Sequence, residues 1–184
     1  MLVRSSPYTL TSETGILSSR ELGERLLDEL TAHLRETVPD SATPLDFLQI
    51  QFVDISAADE FLCKLLMRIA SGELGTRYVF IQGANESIRE TFEAVLKLRD
   101  LAALCVDGEG RCILGVLKTP MREALEVMLA ARQGTSAELA QRLDKNINIA
   151  CNRLNALQKM GLVCRTRDGS VQGGGRQYYY ESII

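Results

Sequence analysis

The sequence predicts an α/β layer, a mixed sheet covered by helices, over residues 1–117, followed by a smaller unit of helices and a hairpin over residues 118–184. Three observations predict it. Strand-like and helix-like apolar periodicities alternate through the first part, the pattern of helices laid on a sheet. After Thr119-Pro120 the periodicity turns helical and then gives way to two strands around a glycine-rich loop. Charge changes sign at the same boundary: residues 118–184 carry ten Lys and Arg against six Asp and Glu, whereas residues 1–117 carry eleven against eighteen. An acidic front and a basic back suit different partners.

Composition excludes several classes. With 46% hydrophobic and 24% charged residues the chain is globular, not disordered. No run approaches the roughly 18 apolar residues of a membrane span. Met1 to Leu10 lacks the basic segment and apolar core of a secretion signal. The five cysteines are odd in number, none is spaced C-x-x-C, and His33 is the sole histidine. The expectation is reduced thiols in the cytoplasm, with no metal and no cofactor.

In chain order, Ser18 with Glu21 three residues on reads as a capping box. It opens a helix whose Leu22, Leu26, Leu27, Leu30 and Leu34 form one stripe, ended by Val38-Pro39-Asp40. Leu45 to Val53 reads as a buried strand. Ser56 reads as the cap of a helix with Phe61, Leu62, Leu65, Leu66 and Ile69 inside, broken by Gly72 and Gly75. Tyr78 to Ile81 is a short strand, and Asn85 caps a helix packing Ile88, Phe92, Val95 and Leu96. Leu101–Val106 and Arg111–Leu117 flank Asp107-Gly108-Glu109-Gly110, a hairpin signal. Such a front part is long enough to bury its own core. Cys105 and Cys112 would face each other across this hairpin. A redox pair is conceivable there, but small core residues are the favoured reading.

In the back part, Leu125, Met128 and Leu129 mark the inner face of a helix that Gly134 stops. Thr135-Ser136-Ala137-Glu138 is a second capping box, opening a helix with Leu139, Ala140 and Leu143. After a polar turn over Asp144–Asn148, Ile147, Ala150, Leu154 and Leu157 share the inner face of a third helix, while Asn148, Asn152, Asn155 and Lys159 share the other. Gly161 closes it. Strands follow from Leu162 and from Arg176 to Tyr180, joined through Gly173-Gly174-Gly175, and one of the three consecutive tyrosines is expected to be buried.

TSAELAQRL, a polar turn, NRLNALQKMGLVCRTR and GGGRQYYY together resemble the winged helix-turn-helix of MarR- and ArsR-type regulators, over about the last 65 residues. The resemblance implies double-stranded DNA as partner, read by a slim polar helix face in the major groove. Asparagine there can bond bidentately to adenine. Lys145, Asn146, Asn148, Asn152, Asn155, Lys159, Arg165, Arg167 and Arg176 are the expected DNA-contacting residues, the cations positioning the protein on phosphates. A homodimer on paired half-sites is expected.

SSRELGERLLDEL, LDFLQIQFVDISAADEFLCKLL and YVFIQGANESIRETFEAVL resemble the STAS-like domain family, over about Ser18 to Leu104. That implies a domain acting through a regulatory protein partner, not through chemistry. Anti-sigma-factor antagonists of this family carry Asp-Ser-Ser-Gly at a strand-to-helix junction and are phosphorylated on the second serine. Asp54-Ile55-Ser56-Ala57 places Ser56 there, although two of the four residues depart from the pattern, the glycine among them. Ser56 is therefore a candidate phosphorylation position, with N-capping the favoured reading. Asp54, Asp59 and Glu60 form an acidic group with no nucleophile or oxyanion donors beside them, and no phosphate-binding glycine loop is present, so an enzyme is not expected. The expected function is a cytoplasmic DNA-binding regulator. The alternative is an adaptor in a partner-switching pathway, its winged helix contacting protein.

Overall fold

In the computed structural model, which describes residues 1–108, 110–170 and 176–184, a mixed six-stranded sheet lies at the centre of the molecule. Its strands run in the order β1 (Val3–Arg4), β4 (Ser41–Asp46), β6 (Arg77–Gln82), β7 (Ala102–Asp107) and β8 (Gly110–Gly115), with β2 (Tyr8–Thr9) also lying along β4. All neighbours are parallel except β7 and β8, which form the expected hairpin, with Cys105 and Cys112 in register. Two further short strands, β3 (Ile16–Leu17) and β5 (Phe52–Val53), pair with each other.

Side chains alternate across each strand, and here both faces are covered. Val79 and Ile81 of β6, Ala103 and Cys105 of β7, and Leu45 of β4 enter one core, made from residues 10–114 alone. Tyr78 and Phe80, Ala102 and Leu104, and Ala42 enter a second core, completed by residues of the C-terminal part. Helices α1 (Arg20–Glu36), α3 (Lys64–Ser71) and α4 (Glu86–Leu98) cover the first face, with α2 (Ile55–Ala58) joined to α3 through a π-helical turn at Asp59–Cys63. The leucine stripe of α1, the apolar set of α3 and the capped helix at Asn85 all fall where periodicity placed them.

Three local expectations are corrected. The cap of α1 is Ser19, which accepts from the Leu22 N–H; the Ser18 hydroxyl instead donates to the Asp54 carboxylate. Asp54, not Ser56, caps α2, its carboxylate accepting from the Ala57 N–H at 2.7 Å. The strand expected over Leu45–Val53 begins at Ser41 and stops at Asp46. There the Asp46 carboxylate accepts the Leu48 N–H at 3.0 Å and turns the chain. Phe47 and Ile50 are buried all the same without strand pairing, and only the end of the run, Phe52–Val53, pairs again, as β5. Pro44 is tolerated inside β4 because it faces the same neighbour as Ala42 and Asp46, whose carbonyls accept from Ser5 and Leu10. Its missing N–H points into the gap between β1 and β2.

The C-terminal part runs α5 (Thr119–Ala131), β9 (Gln133–Thr135), α6 (Ser136–Leu143), α7 (Ile147–Lys159), β10 (Val163–Ser170) and β11 (Arg176–Ser182). The last two strands are antiparallel, and β9 pairs with β11 on its other edge. Gly134 therefore lies in a strand opposite Tyr180 rather than stopping α5, which ends at Arg132 in a left-handed conformation.

Candidate nucleic-acid interface

The capping box at Thr135 sets the start of α6: the Glu138 N–H donates to the Thr135 hydroxyl at 3.3 Å, and the Thr135 N–H donates to the Glu138 carboxylate at 2.7 Å. Asp144, with φ +51, turns the chain out of α6. Asn146 then caps α7 by accepting the Ile149 N–H at 3.0 Å. Ala150, Leu154 and Leu157 are buried against α5 and α6, as the 3.6-residue period requires. Ile147, expected beside them, is 51% exposed.

This leaves Lys145, Asn146, Asn148 and Asn152 on one exposed stretch at the amino end of α7, flanked by Ile147 and by Ile149, 38% exposed. Lys159 is exposed at the other end, about 17 Å along the axis from Asn148. Asn155 departs from the set: it is half-buried, and its side-chain oxygen accepts from the Tyr180 hydroxyl at 2.9 Å and from Arg165 at 3.3 Å. It ties α7 to the hairpin instead of facing solvent. Arg165 is exposed, its guanidinium 4.7 Å from the centroid of the Tyr178 ring. Tyr180 is the buried tyrosine of the three. The side chains of Arg167 and Arg176, and the loop Gly173–Gly175, lie outside the described residues. Arg153, which the sequence reading passed over, is half-buried in an ion pair with Glu123 at 3.3 Å and holds α7 to α5.

The carboxyl end of α7, not the amino end, meets the front part. Gly161, φ +76, lies so close that a Cβ there would stand 3.0 Å from Ile69 and 4.0 Å from Tyr78. The asparagine-bearing turn is thus turned away from the sheet.

Ser56 is exposed in the first turn of α2, two residues after its cap. Exposed Ile16, Phe52 and Ile55 surround that junction. Burial pushes the Asp54 carboxyl up, but hydrogen bonds from the Ser18 hydroxyl and from the Ala57, Ser19 and Ser56 backbone outweigh it, so its pKa is lowered. Cys105 and Cys112 are both free thiols. Burial, then the neighbouring Cys112, push Cys105 up to about 12, so it is a poor nucleophile at neutral pH.

Among the described residues, no group of His, Cys, Asp and Glu is placed to hold a metal ion, and no helix is long and apolar enough to cross a membrane. No protein-family model matches the chain, and no curated protein matches it in sequence.

Proposed function

We propose that the protein is a DNA-binding transcriptional regulator, with a STAS-like front part that receives a signal or a regulatory protein partner and a winged helix-turn-helix at residues 118–184. The order α5, β9, α6, α7, β10, β11, with β9 closing the hairpin sheet, supports the winged-helix reading. The observation that carries the functional reading is the exposed amino end of α7. Asn148 and Asn152 stand one turn apart on it, beside Lys145 and away from the sheet. A helix presented in this way fits the major groove, and its amides match the paired donor and acceptor of adenine. Lys145, Lys159 and Arg165 would neutralise phosphates. Asn155 has a positioning role, fixing the hairpin against α7. The proposal includes cytoplasmic location, a homodimer on paired half-sites, and no catalytic activity.

Selection of bound sequences from random duplex DNA, followed by salt titration, tests it. Enrichment of a motif and a logarithmic salt slope of about −0.9 per neutralised phosphate are expected. Asn148→Ala and Asn152→Ala should each cost about 1–3 kcal/mol and relax one position of the motif. Lys145→Ala should weaken all sequences alike and reduce the slope by about one. No enrichment and no salt dependence would reject the reading.

Exposed Ile147 and Ile149, together with the apolar rim of Ile16, Phe52 and Ile55 around Ser56, favour the adaptor as second reading. In it both ends of the molecule dock on proteins, and phosphorylation of Ser56 would disrupt the front contact. Phosphosite mapping after treatment with candidate kinases addresses it; label confined to other residues would remove Ser56.

A further inference from the structure

A cavity of about 670 Å³ opens between the carboxyl-end half of the sheet and the C-terminal part. Crevices at the carboxyl ends of parallel strands are the usual ligand sites of α/β sheets, and this volume is ordinary for a small-molecule pocket. Pro7 and Val106 offer it apolar surface, and the exposed Arg4, Arg111 and Arg132 line it with positive charge. Asp107 lines it too, but is ion-paired with Arg89. Arg111 is positioned by donating to the Leu129 carbonyl at 2.8 Å. Among the described residues, the guanidinium groups of Arg4 and Arg132 have neither an ion pair nor a hydrogen bond.

Arg132 carries a second, independent signal. It has φ +66 and ψ −38, a conformation that non-glycine residues rarely adopt. Its surroundings enforce this: its N–H donates to the Met128 carbonyl at 2.8 Å, and its carbonyl accepts from the Ser182 N–H at 2.7 Å. Glycine would suit the backbone better, yet an exposed arginine with no ion pair or hydrogen bond among the described residues is held there at a cavity wall. Strain that the fold over-determines in this way concentrates at ligand sites.

We propose that the cavity binds a small organic anion. Arg4 and Arg132 hold its oxyanion head, with Arg111 beside them, and a flat apolar body lies on Pro7 and Val106. Inorganic phosphate or a nucleic-acid backbone would satisfy the arginines but leave the apolar surface unused; a neutral apolar ligand would do the reverse. The cavity has walls from both parts of the chain, Arg4 and Phe80 from one and Arg132 from the other. An occupant therefore bridges them. Any consequence for DNA binding rests on the regulator reading above, whereas the binding itself does not.

The test uses the full-length chain without DNA, so its failure and that of the regulator reading are separate. The probes are 8-anilinonaphthalene-1-sulfonate and N-phenyl-1-naphthylamine, the same ring system without the acid, followed by fluorescence titration. The expected result is saturable one-to-one binding of the sulfonate, weakened about tenfold by Arg4→Gln and about tenfold by Arg132→Gly. Binding of the neutral amine should not change in either variant. Arg132→Gly relieves the positive φ, so it should fold at least as stably as the parent. Arg25→Gln, on the exposed face of α1, should leave both probes unaffected. Non-saturable sulfonate binding, or equal affinity in the parent and in Arg132→Gly, would overturn the proposal.

Discussion

Asp54 joins segments far apart in sequence. One carboxylate oxygen caps α2 through the Ala57 N–H, and the other receives the Ser18 hydroxyl and the Ser19 N–H. Asp54→Ala should therefore destabilise the protein by about 0.5–2 kcal/mol, the usual loss for a removed N-cap, read as a lower urea midpoint at pH 7. Because folding lowers the Asp54 pKa, its contribution is present above the carboxylate's unfolded value and is lost as pH falls through the folded one. The difference between parent and variant should thus begin to shrink below about pH 4, where the unfolded aspartate takes up its proton, and close as pH falls through the lower folded value. A constant difference down to pH 2 would contradict that role. The same residue shows why local reading missed the cap. Ser18 and Ser19, or Asp54 and Ser56, are all capable caps within two positions. The choice was made by a contact 36 residues away in sequence, which no local pattern contains.

At the scale of elements, helices were legible because their inner faces repeat every three or four residues, as Leu26, Leu30 and Leu34 do. The edges of β4 were not, since an apolar run marks burial without saying which backbone groups pair. Arg77 joins two elements that sequence could not connect. From the start of β6 its guanidinium donates to the Thr37 carbonyl at 2.8 and 3.0 Å, to Arg35 at 3.3 Å and to Leu74 at 3.2 Å. These are carbonyls at the carboxyl end of α1 and just before β6, where a fixed cation also meets the negative end of the helix. Arg77→Ala should cost about 1.5–3 kcal/mol by chemical denaturation, a range set by charged hydrogen bonds. Arg77→Lys should recover only part, because an ammonium cannot reproduce the planar fork. Full recovery by lysine would show that charge alone matters there.

The whole molecule departs most from the sequence reading in how its two parts meet. The charge change and the shift in periodicity near residue 117 fall between β8 and α5, and no gap in the core falls there. The second face of the sheet carries Tyr78, Phe80 and Leu104, which pack with Leu125, Leu129 and Leu154 in one cluster. Short, uniformly apolar strands such as Tyr78–Ile81 already imply burial on both faces. What they could not say was which segment supplied the second cover. Since the two cores share one sheet, unfolding either face removes support from the other, and the chain should melt in a single calorimetric transition. Phe80→Ala empties part of the shared face and Ile81→Ala part of the opposite one. They should cost about 3–5 and 2–5 kcal/mol respectively, each lowering that one midpoint by roughly 10 °C. The decisive comparison is the shape of the transition, not its position. Were Phe80→Ala to split the melt, with a C-terminal step lost early and a front step unchanged, the two parts would be separately stable. The shared sheet would then be a contact surface rather than a common core.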